Sequence, residues 1–253
     1  MQINPNRHPI LHLIAQGAEW RTEDAFPAFP RWADEHERWL EFVDAKGELA
    51  RFLPRLKKSA YQRDRTLSEI GSAYYLEKKR SLPIIGWEPT GNGGKKGEYL
   101  VQGPTGPIFV EVKTGGWQKD VVEAQGRKSP RLSQPKHLDA EARSVAPWTV
   151  IRNAIANAYP KFTGTIPSLL IIRDDYFINL DAFNIDIALF CPGRGKQAGG
   201  YLAENGYFLD SRFERLGGIA IFNVELGGRG LRYSFSISHN PKALGAVTLP
   251  PAL

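Results

Sequence analysis

The chain has 253 residues, 42% hydrophobic and 24% charged, which is long enough to bury one sizeable core and ordinary for a globular fold. Its formal net charge of +6 favours a polyanionic partner but says nothing of fold or chemistry. A single cysteine, Cys191, excludes an internal disulfide and cysteine-rich zinc sites, and the N-terminal apolar run is too short for a signal peptide or membrane span, so a cytoplasmic protein without a membrane partner is expected.

Residues 1–65 read as a helical lead-in. Ile10, Leu11, Leu13 and Ile14 mark a short helix, and Phe26-Pro27-Ala28-Phe29-Pro30 a loop. Trp32, His36, Trp39, Leu40 and Val43 recur at three-and-four spacing, predicting an amphipathic helix that ends near Gly47. His8 and His12 are four apart, as two ligands on one helix face would be, but no third ligand lies nearby, so packing histidines are the expectation. A basic segment follows, holding Arg51, Arg55, Lys57, Lys58, Arg63 and Arg65.

Thr66 to Arg80 is the clearest helix. Thr66-Leu67-Ser68-Glu69 has the S/T-x-x-E form of a capping box, which predicts a helix start here. Glu69 then has two readings: a capping glutamate at the third helical position, or a carboxylate that the helix delivers to a site elsewhere.

Pro83 to Pro89 reads as a strand, and Thr90 to Gly97 as a flexible connector. The connector lacks the G-x-x-x-x-G-K-[ST] spacing of a phosphate loop and runs into a strand, leaving only Lys95 and Lys96 as phosphate contacts. Two strands come next, Glu98 to Val101 and Pro107 to Val112, around the turn residues Gly103-Pro104-Thr105-Gly106. A two-residue turn centred between Pro104 and Thr105 pairs Gly103 with Gly106 and, counting back, sets Glu98 opposite Glu111. Lys113 shares the face of Glu111 by strand alternation. Two opposed carboxylates repel, so Lys113 and a divalent cation are expected between them.

From Lys113 to Lys161 nine basic residues face four acidic ones, an excess close to that of the whole chain. Helices are expected at residues 136–145 and 147–159. Ser168 to Arg173, SLLIIR, has the continuous apolar character of a buried central strand. A short helix is expected over 181–191, and Gly218 to Leu226 with Arg232 to His239 form a second hairpin.

A glutamate on a helix, a first carboxylate on a hairpin and E-x-K on its second strand, carried here by LSEIGSAYYLEK, GEYLV and FVEVKT, together resemble the PD-(D/E)xK nuclease superfamily over about Thr66 to Asp175. The resemblance implies an α/β fold of restriction-endonuclease type, a mixed central sheet flanked by helices. The lead-in of residues 1–65 would precede a nuclease-like domain over 66–253, the whole forming one compact unit. It implies a Mg²⁺-dependent endodeoxyribonuclease, with Mn²⁺ as a substitute. Glu69, Glu98, Glu111 and Lys113 would be catalytic, and Glu98, Glu111 and the Val112 carbonyl would hold the metal. Lys95, Lys96, Lys136, Arg143 and Arg152 would grip nucleic acid, DNA rather than RNA, and a homodimer would suit double-strand cleavage. The family has Asp where this chain has Glu98, one methylene longer, and Glu88 is a rival for that role. The competing readings are a weakened nuclease fold that binds nucleic acid or a protein, and a metal-independent protein-interaction domain.

Overall fold

The computed structural model describes residues 3–15, 30–58, 60–114, 147–173, 180–193, 205–227 and 230–250. The expected loop of residues 26–29 and the helix of 136–145 lie outside them. Six strands form one mixed sheet in chain order: β1 (Ile84–Trp87), β2 (Tyr99–Gly103), β3 (Gly106–Thr114), β4 (Ser168–Arg173), β5 (Gly218–Gly227) and β6 (Gly230–His239). The three central strands are mutually parallel, and the outer pairings are antiparallel. The protein is therefore α/β, with helices on both faces of the sheet.

Alternation along the strands builds two apolar layers. Tyr99, Val101, Ile108, Val110, Val112, Leu169, Ile171, Ala220 and Phe222 face one side. There they meet α1 (Pro9–Ala15), α2 (Pro30–Asp44), α3 (Leu49–Lys58) and α4 (Ala60–Arg80). Phe109, Leu170, Ile172, Ile219 and Ile221 face the other side, against α5 (Pro147–Ala158) and α6 (Ala182–Leu189). Every residue of β4 is buried, its apolar centre Leu169–Ile172 flanked by a buried Ser168 and Arg173, as suits a strand covered on both faces. The N-terminal helices share one continuous core with the sheet, so the lead-in packs as part of the same unit.

The expected helix start at Thr66 is corrected. Helix α4 begins at Ala60 and runs unbroken to Arg80, through the 65/66 division. Thr66 lies inside it, its hydroxyl donating to the Gln62 carbonyl at 2.7 Å, and Ser68 does the same to Asp64 at 2.8 Å. Such back-bonding within a helix satisfies the hydroxyls that a cap would otherwise have used. Glu69 is thus a mid-helix residue.

The hairpin forms in the register that the turn implied, Gly103 opposite Gly106 and Tyr99 opposite Val110. The ladder stops at that last pair. Glu98, just outside β2, donates its amide to the Val110 carbonyl at 3.1 Å, one residue short of direct opposition to Glu111. The turn at Tyr159–Lys161 follows α5, and the segment of residues 90–96 docks against it. That segment was expected to be a flexible connector. Instead Asn92 donates to the Pro160 carbonyl at 3.3 Å, and a Cβ on Gly91 would overlap the Lys161 carbonyl oxygen.

Candidate active site

Glu111 is the only residue of β3 that places a carboxylate in the core, and its side chain has no exposure. It lies between Phe109 and Lys113 on the α5 face, and its Oε1 accepts from two ammonium groups. Lys113, two residues on, bonds it directly, and Lys161 reaches it across the sheet face at 2.6 Å. Its other oxygen, Oε2, is buried with no hydrogen-bond partner. Burial raises the Glu111 pKa, opposed by the charge of Lys113 and reinforced by that of Glu98.

Glu98 lies beside it, where the β2–β3 ladder ends. Its backbone is fixed from two sides: its amide holds Val110, and its carbonyl accepts from the Glu88 amide at 2.9 Å. Glu88 adopts φ +48°, an uncommon conformation for a residue other than glycine, so this edge is specifically shaped. Gly97, just before Glu98, leaves the space that the Phe109 ring fills. The Glu98 carboxyl is pushed up to about 8 by burial, then by the negative charge of Glu69 and a hydrogen bond shared with it; Lys161 and Lys113 pull the other way. Lys161 Nζ stands 4.0 Å from Glu98 Oε1.

Glu69 arrives from α4. Arg55 of α3 grips it with both arms, Nη1 to Oε2 at 2.7 Å and Nη2 to Oε1 at 3.0 Å, the planar fork matching the carboxylate. Burial acts against the charge on Arg55, but the bonds to Glu69 outweigh it and leave its pKa raised. One turn further along, Ser72 hydrogen-bonds the buried Tyr99 hydroxyl at 2.9 Å and ties α4 to the first residue of β2.

The structure brings Glu69, Glu98, Glu111 and Lys113 close together, and Lys161 and Arg55 with them. By strand alternation the Val112 carbonyl points the same way as that of Val110, past the last rung of the β2 ladder. Lys95 and Lys96 are exposed on the docked segment, and Lys96 pairs with Glu88 at 3.2 Å. Arg152 is engaged elsewhere: it donates to the Ile187 carbonyl at 3.2 Å, and its guanidinium stacks on Tyr207 at 5.3 Å, joining α5 to α6. Lys136 and Arg143 lie outside the described residues.

The fit of a divalent cation turns on the donors. Among the described residues no group of three His, Cys, Asp or Glu side chains stands at metal-holding spacing. Mg²⁺ does not need one, because it is commonly held by one or two carboxylates, with water and substrate phosphate completing the shell. A buried, unpartnered carboxylate oxygen on Glu111, with Glu98 beside it, is such a partial set, so these residues fit the ion. Lys161 and Arg55 were visible in the sequence only as members of basic runs. No local motif points to them, because their partners lie 50 and 14 residues away.

No protein-family model, curated protein or solved structure matches the chain. No helix among the described residues is long and apolar enough to cross a membrane.

Proposed function

We propose that the protein is a metal-dependent nuclease of restriction-endonuclease type that hydrolyses phosphodiester bonds in DNA. The observation that carries this reading is Glu111: a fully buried carboxylate with two lysines on one oxygen and no partner on the other. A buried charge costs several kcal/mol, by rough estimate, unless its lone pairs are satisfied, and here half of them are not. The order of the pieces also agrees with the resemblance: a helix carrying Glu69, a hairpin carrying Glu98, then Glu111 and Lys113 on a central strand followed by a helical crossover.

In this reading Glu98, Glu111 and the Val112 carbonyl hold Mg²⁺ or Mn²⁺, which supplies charge neutralisation at the phosphate and a more acidic water. Lys113 orients the attacking water and stabilises charge that develops on the phosphoryl oxygens. Arg55 fixes Glu69 beside Glu98. Basic side chains around the site hold the backbone through charge, so binding weakens with salt.

One observation favours a second reading. The same ammonium groups that would serve catalysis now neutralise Glu111, as in a weakened nuclease fold that binds nucleic acid without cutting it. Incubation with supercoiled, linear and single-stranded DNA and with RNA, in Mg²⁺, Mn²⁺ or EDTA, separates the two. The nuclease reading expects metal-dependent cleavage of DNA, reduced about 10²-fold or more in Lys113→Ala. Binding without cleavage in either metal supports the second reading, and equal cleavage by Lys113→Ala contradicts the role given to that lysine.

A further inference from the structure

Lys161 is the one cation of the cluster that stands between both strand carboxylates, 2.6 Å from Glu111 Oε1 and 4.0 Å from Glu98 Oε1. We infer that Lys161 occupies the position of the divalent cation in the metal-free protein, is displaced from Glu111 when the metal binds, and then takes a phosphate oxygen of the substrate. The inference rests on the metal-dependent nuclease reading and assigns a role to a residue outside the E-x-K pattern.

Three features single out Lys161 rather than Lys113. Lys113 pairs with Glu111 from two residues along the same strand, whereas Lys161 also stands 4.0 Å from Glu98. Lys161 comes from a separate turn, on a flexible four-carbon stem that lets an ammonium swing through several ångströms while its backbone stays still. That backbone is firmly held. Gly91 packs against the Lys161 carbonyl, Asn92 bonds Pro160, and Phe162 is fully buried and accepts at its carbonyl from Arg215 at 2.9 Å. Arg215 also stacks on Tyr159, 4.5 Å from the ring centroid.

The charge balance gives the displaced ammonium a destination. Three carboxylates, Glu69, Glu98 and Glu111, face three cations, Arg55, Lys113 and Lys161. A divalent ion adds two positive charges to a buried cluster that already holds at least as much positive as negative charge. It repels the nearest ammonium, and an anionic phosphate then restores the balance.

The inference predicts opposite effects on two ligands. Mn²⁺ binding to the full chain, followed by calorimetry or electron paramagnetic resonance, should tighten about tenfold in Lys161→Met, which keeps the length of the stem and loses the charge. Binding of a short DNA duplex in Ca²⁺, which avoids turnover, should weaken about tenfold in the same variant. Lys161→Arg, which keeps the charge, should bring both affinities back toward those of the unaltered protein. A purely structural lysine would weaken both ligands together, and that result overturns the inference, as does unchanged Mn²⁺ affinity in Lys161→Met. In either case the nuclease reading stands so long as the unaltered protein binds Mn²⁺. If neither protein binds Mn²⁺, the inference and the nuclease reading fall together.

Discussion

Two regions of this molecule bury carboxylates, and they treat them differently. Near the N-terminus Glu37 is saturated, with Oε1 accepting from the Ile10 amide at 2.8 Å and Oε2 from the Leu11 amide at 2.9 Å, which closes the start of α1. Glu35 is likewise complete: Oε1 accepts from the Tyr233 hydroxyl and from Trp39 Nε1 at 3.1 Å, and Oε2 from Arg38 at 2.9 Å. Around β3 the opposite holds. Glu111 has one crowded and one orphaned oxygen, and Glu98 sits against another carboxylate. Burial raises the pKa of both Glu37 and Glu98, but two backbone donors oppose it at Glu37, whereas the charge of Glu69 adds to it at Glu98. A carboxylate that serves the fold is fully bonded by the fold. One left incomplete inside the protein is waiting for something else.

That contrast breaks most visibly in activity. Glu111→Gln should lower metal-dependent cleavage of plasmid DNA by about 10²–10³-fold, while Glu37→Gln leaves the rate within about twofold. Equal losses in both would erase the distinction. In stability the order reverses: Glu37→Ala strands two buried amides and should cost about 1–3 kcal/mol in urea unfolding. A further stability effect is expected at the docked segment. Gly91→Ala forces its new methyl against the Lys161 carbonyl, at a cost of about 1–3 kcal/mol in thermal unfolding, and should also change Mn²⁺ affinity by moving Lys161.

A last effect is a slope. With its folded-state pKa raised from 4.5 to about 8, Glu98 contributes stability that is fully present below 4.5 and lost as pH rises toward about 8. In EDTA the melting temperature of Glu98→Gln should therefore fall less steeply across that window than that of the unaltered protein. Parallel curves would mean that Glu98 does not carry the proton.

Local chemistry made much of this legible in the sequence. Gly103-Pro104-Thr105-Gly106 specified the hairpin turn, and with it the pairing of Tyr99 with Val110 and the approach of Glu98 to Glu111. SLLIIR announced a doubly covered strand, because four apolar residues in a row, Leu169 to Ile172, point to both faces and suit burial on both. Thr66-Leu67-Ser68-Glu69 misled because a capping box and a helix interior can have the same four residues. Which one forms depends on whether the preceding turn is helical, and here Ala60 onward is. Lys161 and Arg55 were not legible, since each reaches the site through the docking of a separate element: the turn after α5 for one, the packing of α3 on α4 for the other. The closing of residues 90–96 onto that turn likewise depends on the absence of a side chain at Gly91, which the sequence records without saying what fills the space.

The central claim is that the incomplete carboxylate of Glu111 is a metal ligand. A Mn²⁺ titration of the unaltered protein and of Glu111→Gln, followed by electron paramagnetic resonance, tests it most directly. The account predicts a saturable site in the first and its loss in the second, with the variant still folded by circular dichroism. Undiminished binding in Glu111→Gln, or no binding to the unaltered protein, would contradict it.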